Sequence, residues 1–97
     1  MRKKIVTLGL AVASVFMFST TAFAASWRQD SVGWWYQNDD GTYPQREWKW
    51  IDGNGDGVSE CYYFDSNGYC MMNNVTPDGY VVNTSGAWIV KGVVQTQ

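Results

Sequence analysis

The sequence predicts an all-β fold: a short β-hairpin repeat solenoid behind a cleaved N-terminal signal peptide. Three observations carry this. Turn signals rich in Gly, Asn and Asp recur along the chain, and the runs between them are aromatic or β-branched. After the leader, no stretch of useful length shows the apolar period of a helix.

The leader comes first. Arg2, Lys3 and Lys4 form a positive n-region, residues 5–18 are mostly apolar, and Ala22-Phe23-Ala24 supplies an A-x-A cleavage signal. The apolar run is shorter than the about 20 residues a membrane span needs. Cleavage after Ala24 divides the chain into a signal peptide, 1–24, and an aromatic hairpin repeat domain, 25–97. The expected localisation is secreted, with no membrane contact after cleavage.

Beyond the leader, runs and turns alternate. Gly33-Trp34-Trp35-Tyr36 precedes the turn Asp39-Asp40-Gly41. Trp48-Lys49-Trp50-Ile51 precedes a polar insertion, Gly53 to Glu60. Cys61-Tyr62-Tyr63-Phe64 and Tyr69-Cys70-Met71-Met72 flank the turn Asp65-Ser66-Asn67-Gly68. Tyr80-Val81-Val82 and Ala87-Trp88-Ile89-Val90 flank Asn83-Thr84-Ser85-Gly86, and Pro77-Asp78-Gly79 is a further turn. Each run except 48–51 is a short strand by composition, and each turn contains a residue that accepts positive φ. The unit of aromatic pair, Asp/Gly turn, aromatic occurs three times, as expected of stacked units that cannot bury their apolar faces singly.

Composition narrows the function. All six Trp and all six Tyr lie after the leader, with Phe64, whereas Leu is absent there. Flat rings with polar tips fill a thin core and also make binding platforms. Nine acids against four basic residues give residues 25–97 a formal charge of −5. That charge opposes binding to nucleic acid and to anionic lipid, both of which need a basic face. The chain has no His, which removes the usual general base and most zinc sites. A carboxylate pair such as Asp39-Asp40 sits in a solvated turn rather than across a cleft, so glycosidase chemistry is not expected. No enzyme activity is predicted.

Gly33-Trp34-Trp35-Tyr36, Trp48-Lys49-Trp50-Ile51-Asp52-Gly53 and Tyr62-Tyr63-Phe64-Asp65-Ser66-Asn67-Gly68-Tyr69 together resemble the cell-wall-binding repeats of the choline-binding type. The resemblance covers most of residues 33–90. It implies a β-solenoid of hairpins whose rings form shallow cages for choline groups of teichoic acid or for another wall glycopolymer. By position match, Trp34, Trp48 and Tyr62 are the cage residues, followed by Trp50 and Tyr63. Two departures weaken choline specificity: Cys61 stands where the family often has Trp, and Glu47 replaces the Gly before Trp48. For each ring, packing between repeats is the competing role. Strand alternation places Tyr62 and Phe64 on one face, and Cys61 and Tyr63 on the other.

Two other features stand apart. Asp52-Gly53-Asn54-Gly55-Asp56-Gly57 follows the D-x-N-x-D-G start of a calcium loop, with Asp52, Asn54 and Asp56 as ligands, although Tyr63 occupies the twelfth position, where a bidentate Glu is expected. A solvated Gly-rich loop is the other reading; no other cofactor is implied. Cys61 and Cys70 straddle the 65–68 turn. If Asp65 pairs with Gly68, they lie on one face on a diagonal, at the edge of disulfide reach; otherwise they are separate thiols.

The leading expectation is non-catalytic binding of a bacterial cell-wall polymer through aromatic cages. The alternative is a secreted structural or interaction module that self-associates or docks a protein partner. A homodimer is also expected, because open strand edges in so short a solenoid are sticky.

Overall fold

The computed structural model describes residues 24–97. The signal peptide expected over 1–24 lies, except for Ala24, outside the described residues. The domain is all-β, built from antiparallel hairpins, with no helix among the described residues.

Strands β1 (Ser26–Gln29) and β2 (Trp34–Gln37) form one hairpin, with Trp27 opposite Tyr36. Strands β3 (Glu47–Ile51) and β4 (Glu60–Phe64) form a second, with Trp48 opposite Tyr63 and Trp50 opposite Cys61. A four-stranded meander completes the chain: β5 (Asn74–Val75), β6 (Val81–Val82), β7 (Trp88–Val90) and β8 (Val93–Val94). The strands β1, β5 and β8 were not anticipated. Ser26-Trp27-Arg28-Gln29 holds a single apolar residue, Trp27, and β5 and β8 are two residues each, too short to show alternation. The strand expected over 69–72 reduces to a single bridge, Cys70 to Phe64.

One turn geometry recurs four times. In each, the residue opening the turn donates its N–H to the carbonyl four residues on, and the Gly between them returns a bond to its carbonyl. The opening residues are Asn38, Asp65, Thr76 and Asn83, with N···O distances of 2.7 to 3.0 Å expected of good hydrogen bonds: Asn38 to Thr42 at 2.8 Å, Asp65 to Tyr69 at 2.9 Å, Thr76 to Tyr80 at 2.8 Å and Asn83 to Ala87 at 2.9 Å. Asp65 Oδ1 also accepts from the N–H of Asn67 and Tyr69, and Asn83 Oδ1 from Ser85 and Ala87. These side chains satisfy the turn amides that no strand partner reaches. Gly68 has φ of 87° and lies against the Tyr43 ring, so the position demands Gly for both conformation and space.

This turn corrects the register expected for the cysteines. Asp65 opposes Tyr69, not Gly68, so Cys70 opposes Phe64 and shares its face. Cys61 faces the other way, and both cysteines are free thiols.

Strand β4 is the spine. One edge takes all of β3, while the other is bridged by three later segments: Glu60 to Thr96, Tyr62 to Ala87 and Phe64 to Cys70. The buried apolar side chains, Ile51, Cys61, Phe64, Val82 and Ala87, gather on and around this spine. Phe64 is wholly buried and packs beside Trp27, with ring centroids 5.7 Å apart. With so few aliphatic residues, the rings themselves join one hairpin to the next.

Candidate functional site

The first cleft lies where the β1–β2 hairpin meets β4. Trp27 and Trp34 project from the same face of the first hairpin, because Trp27 opposes Tyr36 and Trp34 precedes Tyr36 by two residues. Tyr62 comes from β4. Met72 lies beyond the 65–69 turn, and Thr84 and Ser85 come from the 83–87 turn. Together these six residues line a cleft of about 420 Å³. Trp27 stands edge-on to Tyr62 at 4.8 Å and to Tyr36 at 5.4 Å, which fixes its ring. Gly53 lies close beneath, since a Cβ there would come within 2.9 Å of Trp27 Nε1. Trp34 keeps 37% of its surface exposed. The lining holds ring faces, a thioether and two hydroxyls, and no formal charge. Such a site suits a cation that has no N–H to donate, because the ring quadrupole attracts it without a hydrogen bond.

A second cleft of about 260 Å³ lies between the β3–β4 hairpin and the meander, lined by Trp48, Trp50, Cys61, Asp78, Tyr80 and Trp88. Here the rings touch one another. Trp48 is 5.9 Å from Tyr80 and 6.1 Å from Trp88, and Tyr80 is 5.8 Å from Trp88. Trp48 Nε1 donates to Asp78 Oδ2 at 2.9 Å, and Thr76 Oγ1 donates to Asp78 Oδ1. The Thr76 bond first, then the Trp48 bond, hold the Asp78 carboxyl below its usual range. The carboxylate thus clamps one wall of the cleft.

Of the residues singled out in the sequence, Trp34 and Tyr62 meet in the first cleft and Trp48 and Trp50 in the second. Tyr63 lines neither; it stacks edge-on to its cross-strand partner Trp48 at 5.3 Å. Trp27, Met72, Tyr80 and Trp88 were not named as site residues. The pairing of Trp27 with Tyr36 through the Asp30–Gly33 turn was the available signal for the first of them.

In the calcium-like loop, the oxygens turn to the loop's own amides. Asp52 accepts from the N–H of Asp56 at 3.1 Å and of Gly57 at 2.8 Å, Asn54 Oδ1 from Asp56 at 3.4 Å, and Asp56 Oδ1 from Val58 at 2.9 Å. Among the described residues, no group of three or more His, Cys, Asp or Glu side chains is placed to hold a metal ion. Burial pushes the Cys61 thiol up, and burial followed by the nearby Asp65 charge pushes Cys70 up to about 12. Neither thiol is an activated nucleophile.

A fold of aromatic hairpins with ring-lined clefts at their junctions defines a repeat-built recognition module. Comparison with known proteins places it further. No family model matches the chain. The chain is similar to a lysin of Pneumococcus phage Dp-1, 38% identical over 45 residues, and to a lysozyme of Streptococcus phage Cp-1, 43% identical over 30 residues. These matches take in 46% and 31% of this chain, but only 14% and 9% of those proteins. Among solved structures, the multimodular endolysin from phage Cp-1 complexed with choline aligns over 78% of this chain and 22% of its own, with TM-score 0.59 and 32% identity. The choline-binding domain of Spr1274 from Streptococcus pneumoniae aligns over 69% of this chain and 72% of its own, with TM-score 0.57 and 30% identity. The chain belongs to the family of choline-binding-type cell-wall-binding repeats.

Proposed function

We propose that residues 25–97 form a secreted, non-catalytic module that attaches to a bacterial cell-wall polymer by gripping its choline groups. One observation carries the reading: Trp27, Trp34, Tyr62 and Met72 converge, from separate segments, on one uncharged cleft at a hairpin junction. A quaternary ammonium seated there gains up to about 2 kcal/mol per desolvated ring contact. The second, tighter cleft offers Trp48, Trp50, Tyr80 and Trp88 to another choline of the same chain, with Cys61 where the family often has Trp. Two weak grips on one repetitive polymer raise the overall affinity well above either alone.

In this reading the hairpin series is a short solenoid, and removal of the leader after Ala24 delivers it outside the cell. The phage lysin and lysozyme that this chain resembles are matched over only 14% and 9% of their length, so their lysis is not assigned to it. The dimer expected from sticky edges finds no support in the known structures that this chain resembles.

The test is retention of the protein on purified Gram-positive walls, with and without free choline. Retention that choline releases is expected. Retention indifferent to choline would move the ligand to a wall glycan. No retention would overturn the proposal in favour of a protein-docking module.

A further inference from the structure

Trp34 and Trp35 are neighbours on β2, so their rings leave the strand on opposite faces. Trp34 serves the first cleft. Trp35 lines a separate cleft of about 220 Å³ with Asp30, Tyr43, Asn67 and Tyr69. This cleft differs in kind, because a carboxylate stands among its rings. It is also rigid. The Tyr43 ring lies over Gly68, where an added Cβ would come within 2.6 Å, and it meets Trp35 edge-on at 5.7 Å. Tyr69 donates its hydroxyl to Asp30 Oδ2 at 2.7 Å, and the N–H groups of Val32 and Gly33 donate to Asp30 Oδ1 at 2.9 and 3.1 Å. Asp30 Oδ2 therefore keeps a lone pair for a further donor. Arg28, which opposes Trp35 across the strand pair, is not part of the lining.

We propose that the cleft of Asp30, Trp35, Tyr43, Asn67 and Tyr69 is a second kind of ligand site, which takes a primary ammonium group. Ring faces attract any cation, but a carboxylate and a side-chain amide oxygen select one that carries N–H donors. A quaternary ammonium leaves those acceptors unpaired and binds less well. Amino sugars and amino acids both present such a group. This site extends the wall-binding reading but is tested independently of it, because the two cation types go to opposite faces of β2.

The full chain is titrated with methylammonium and, separately, with choline at constant ionic strength, followed by nuclear magnetic resonance. Methylammonium is expected to move the Trp35 indole, Asn67 and Tyr69 signals, and choline those of Trp34 and Met72. Asp30→Asn, which keeps an oxygen for the Val32 and Gly33 amides, should weaken methylammonium binding at least tenfold and leave the choline response in place. Tyr69→Phe frees Asp30 Oδ2 and should retain or strengthen methylammonium binding. Glucosamine against alanine methyl ester, in the same titration, separates the two sources by which moves the Trp35 set at the lower concentration. Methylammonium that moves only the choline set, or nothing, in the folded protein overturns the proposal, as does unchanged binding by Asp30→Asn. Loss of the choline response alone overturns the proposed function and leaves this site standing.

Discussion

The replacement Trp34→Leu separates ligand recognition from packing. Leu keeps an apolar side chain on β2 but removes the ring quadrupole. Trp34 is 37% exposed on the wall of the first cleft, whereas the neighbouring Trp27 is held edge-on by Tyr36 and Tyr62 and lies against Phe64. A ring–cation contact contributes about 1 to 2 kcal/mol when the ligand shields it from water. With tenfold in affinity for each 1.4 kcal/mol, Trp34→Leu should weaken choline binding by roughly five- to thirtyfold. Its thermal midpoint without ligand should stay close to that of the native chain. Trp27→Leu should lower both, because each ring pair it breaks contributes about 0.5 to 1.5 kcal/mol beyond area burial. Calorimetric titration with choline, with thermal unfolding of the same samples, reads both effects. Native choline affinity in a folded Trp34→Leu protein would refute the cage and leave the ring a packing element.

The same geometry fixes other outcomes. Gly68→Ala forces a side chain into left-handed backbone and against the Tyr43 ring, so urea denaturation should show a loss of at least about 2 kcal/mol. The acidic side has a definite sign. The carboxyls of Asp30, Asp40, Asp52 and Asp78 are held below 3.8, Asp30 chiefly by the Tyr69 hydroxyl, so their support is complete above that value and is lost as pH falls through the lower folded values. The Tyr69 hydroxyl is raised above 10 chiefly by the same bond, so its support persists until pH climbs through that higher value. Thermal midpoints across pH should therefore fall away at both extremes, and Tyr69→Phe should remove the alkaline limb that belongs to this pair. Mass spectrometry after alkylation at neutral pH should find Cys70 slow to react and no Cys61–Cys70 disulfide in the folded protein. Calcium should not shift the thermal midpoint, because Asp52 already accepts from two loop amides; an upward shift would restore the ion.

Much of this molecule was legible in the order of residues, and the losses have physical causes. The 65–68 and 83–86 turn signals lie where the chain turns, because Asp, Asn and Gly carry their own hydrogen-bonding and φ preferences. The exact span of the first turn was not legible. Whether Asp65 pairs with residue 68 or 69 depends on bonds from Asp65 Oδ1 to Asn67 and Tyr69, and that single step moved Cys70 to the other face. Trp34 and Tyr62 could be placed by family pattern, but their meeting with Met72 and Ser85 depends on how separate hairpins dock. Alternation already set Tyr63 on the face opposite Tyr62, but its packing against Trp48 depends on the β3–β4 register.

The first cleft has one more consequence, for mechanical strength. Its walls belong to four stretches of chain that are otherwise joined by few backbone bonds. A choline seated among them is a rivet as well as a cargo, since whatever binds only the folded form adds to its stability, by about 2.7 kcal/mol at a hundred times the dissociation constant. A module with so small a core of its own would then be firmest while it is attached, and would loosen when it drifts free of the wall.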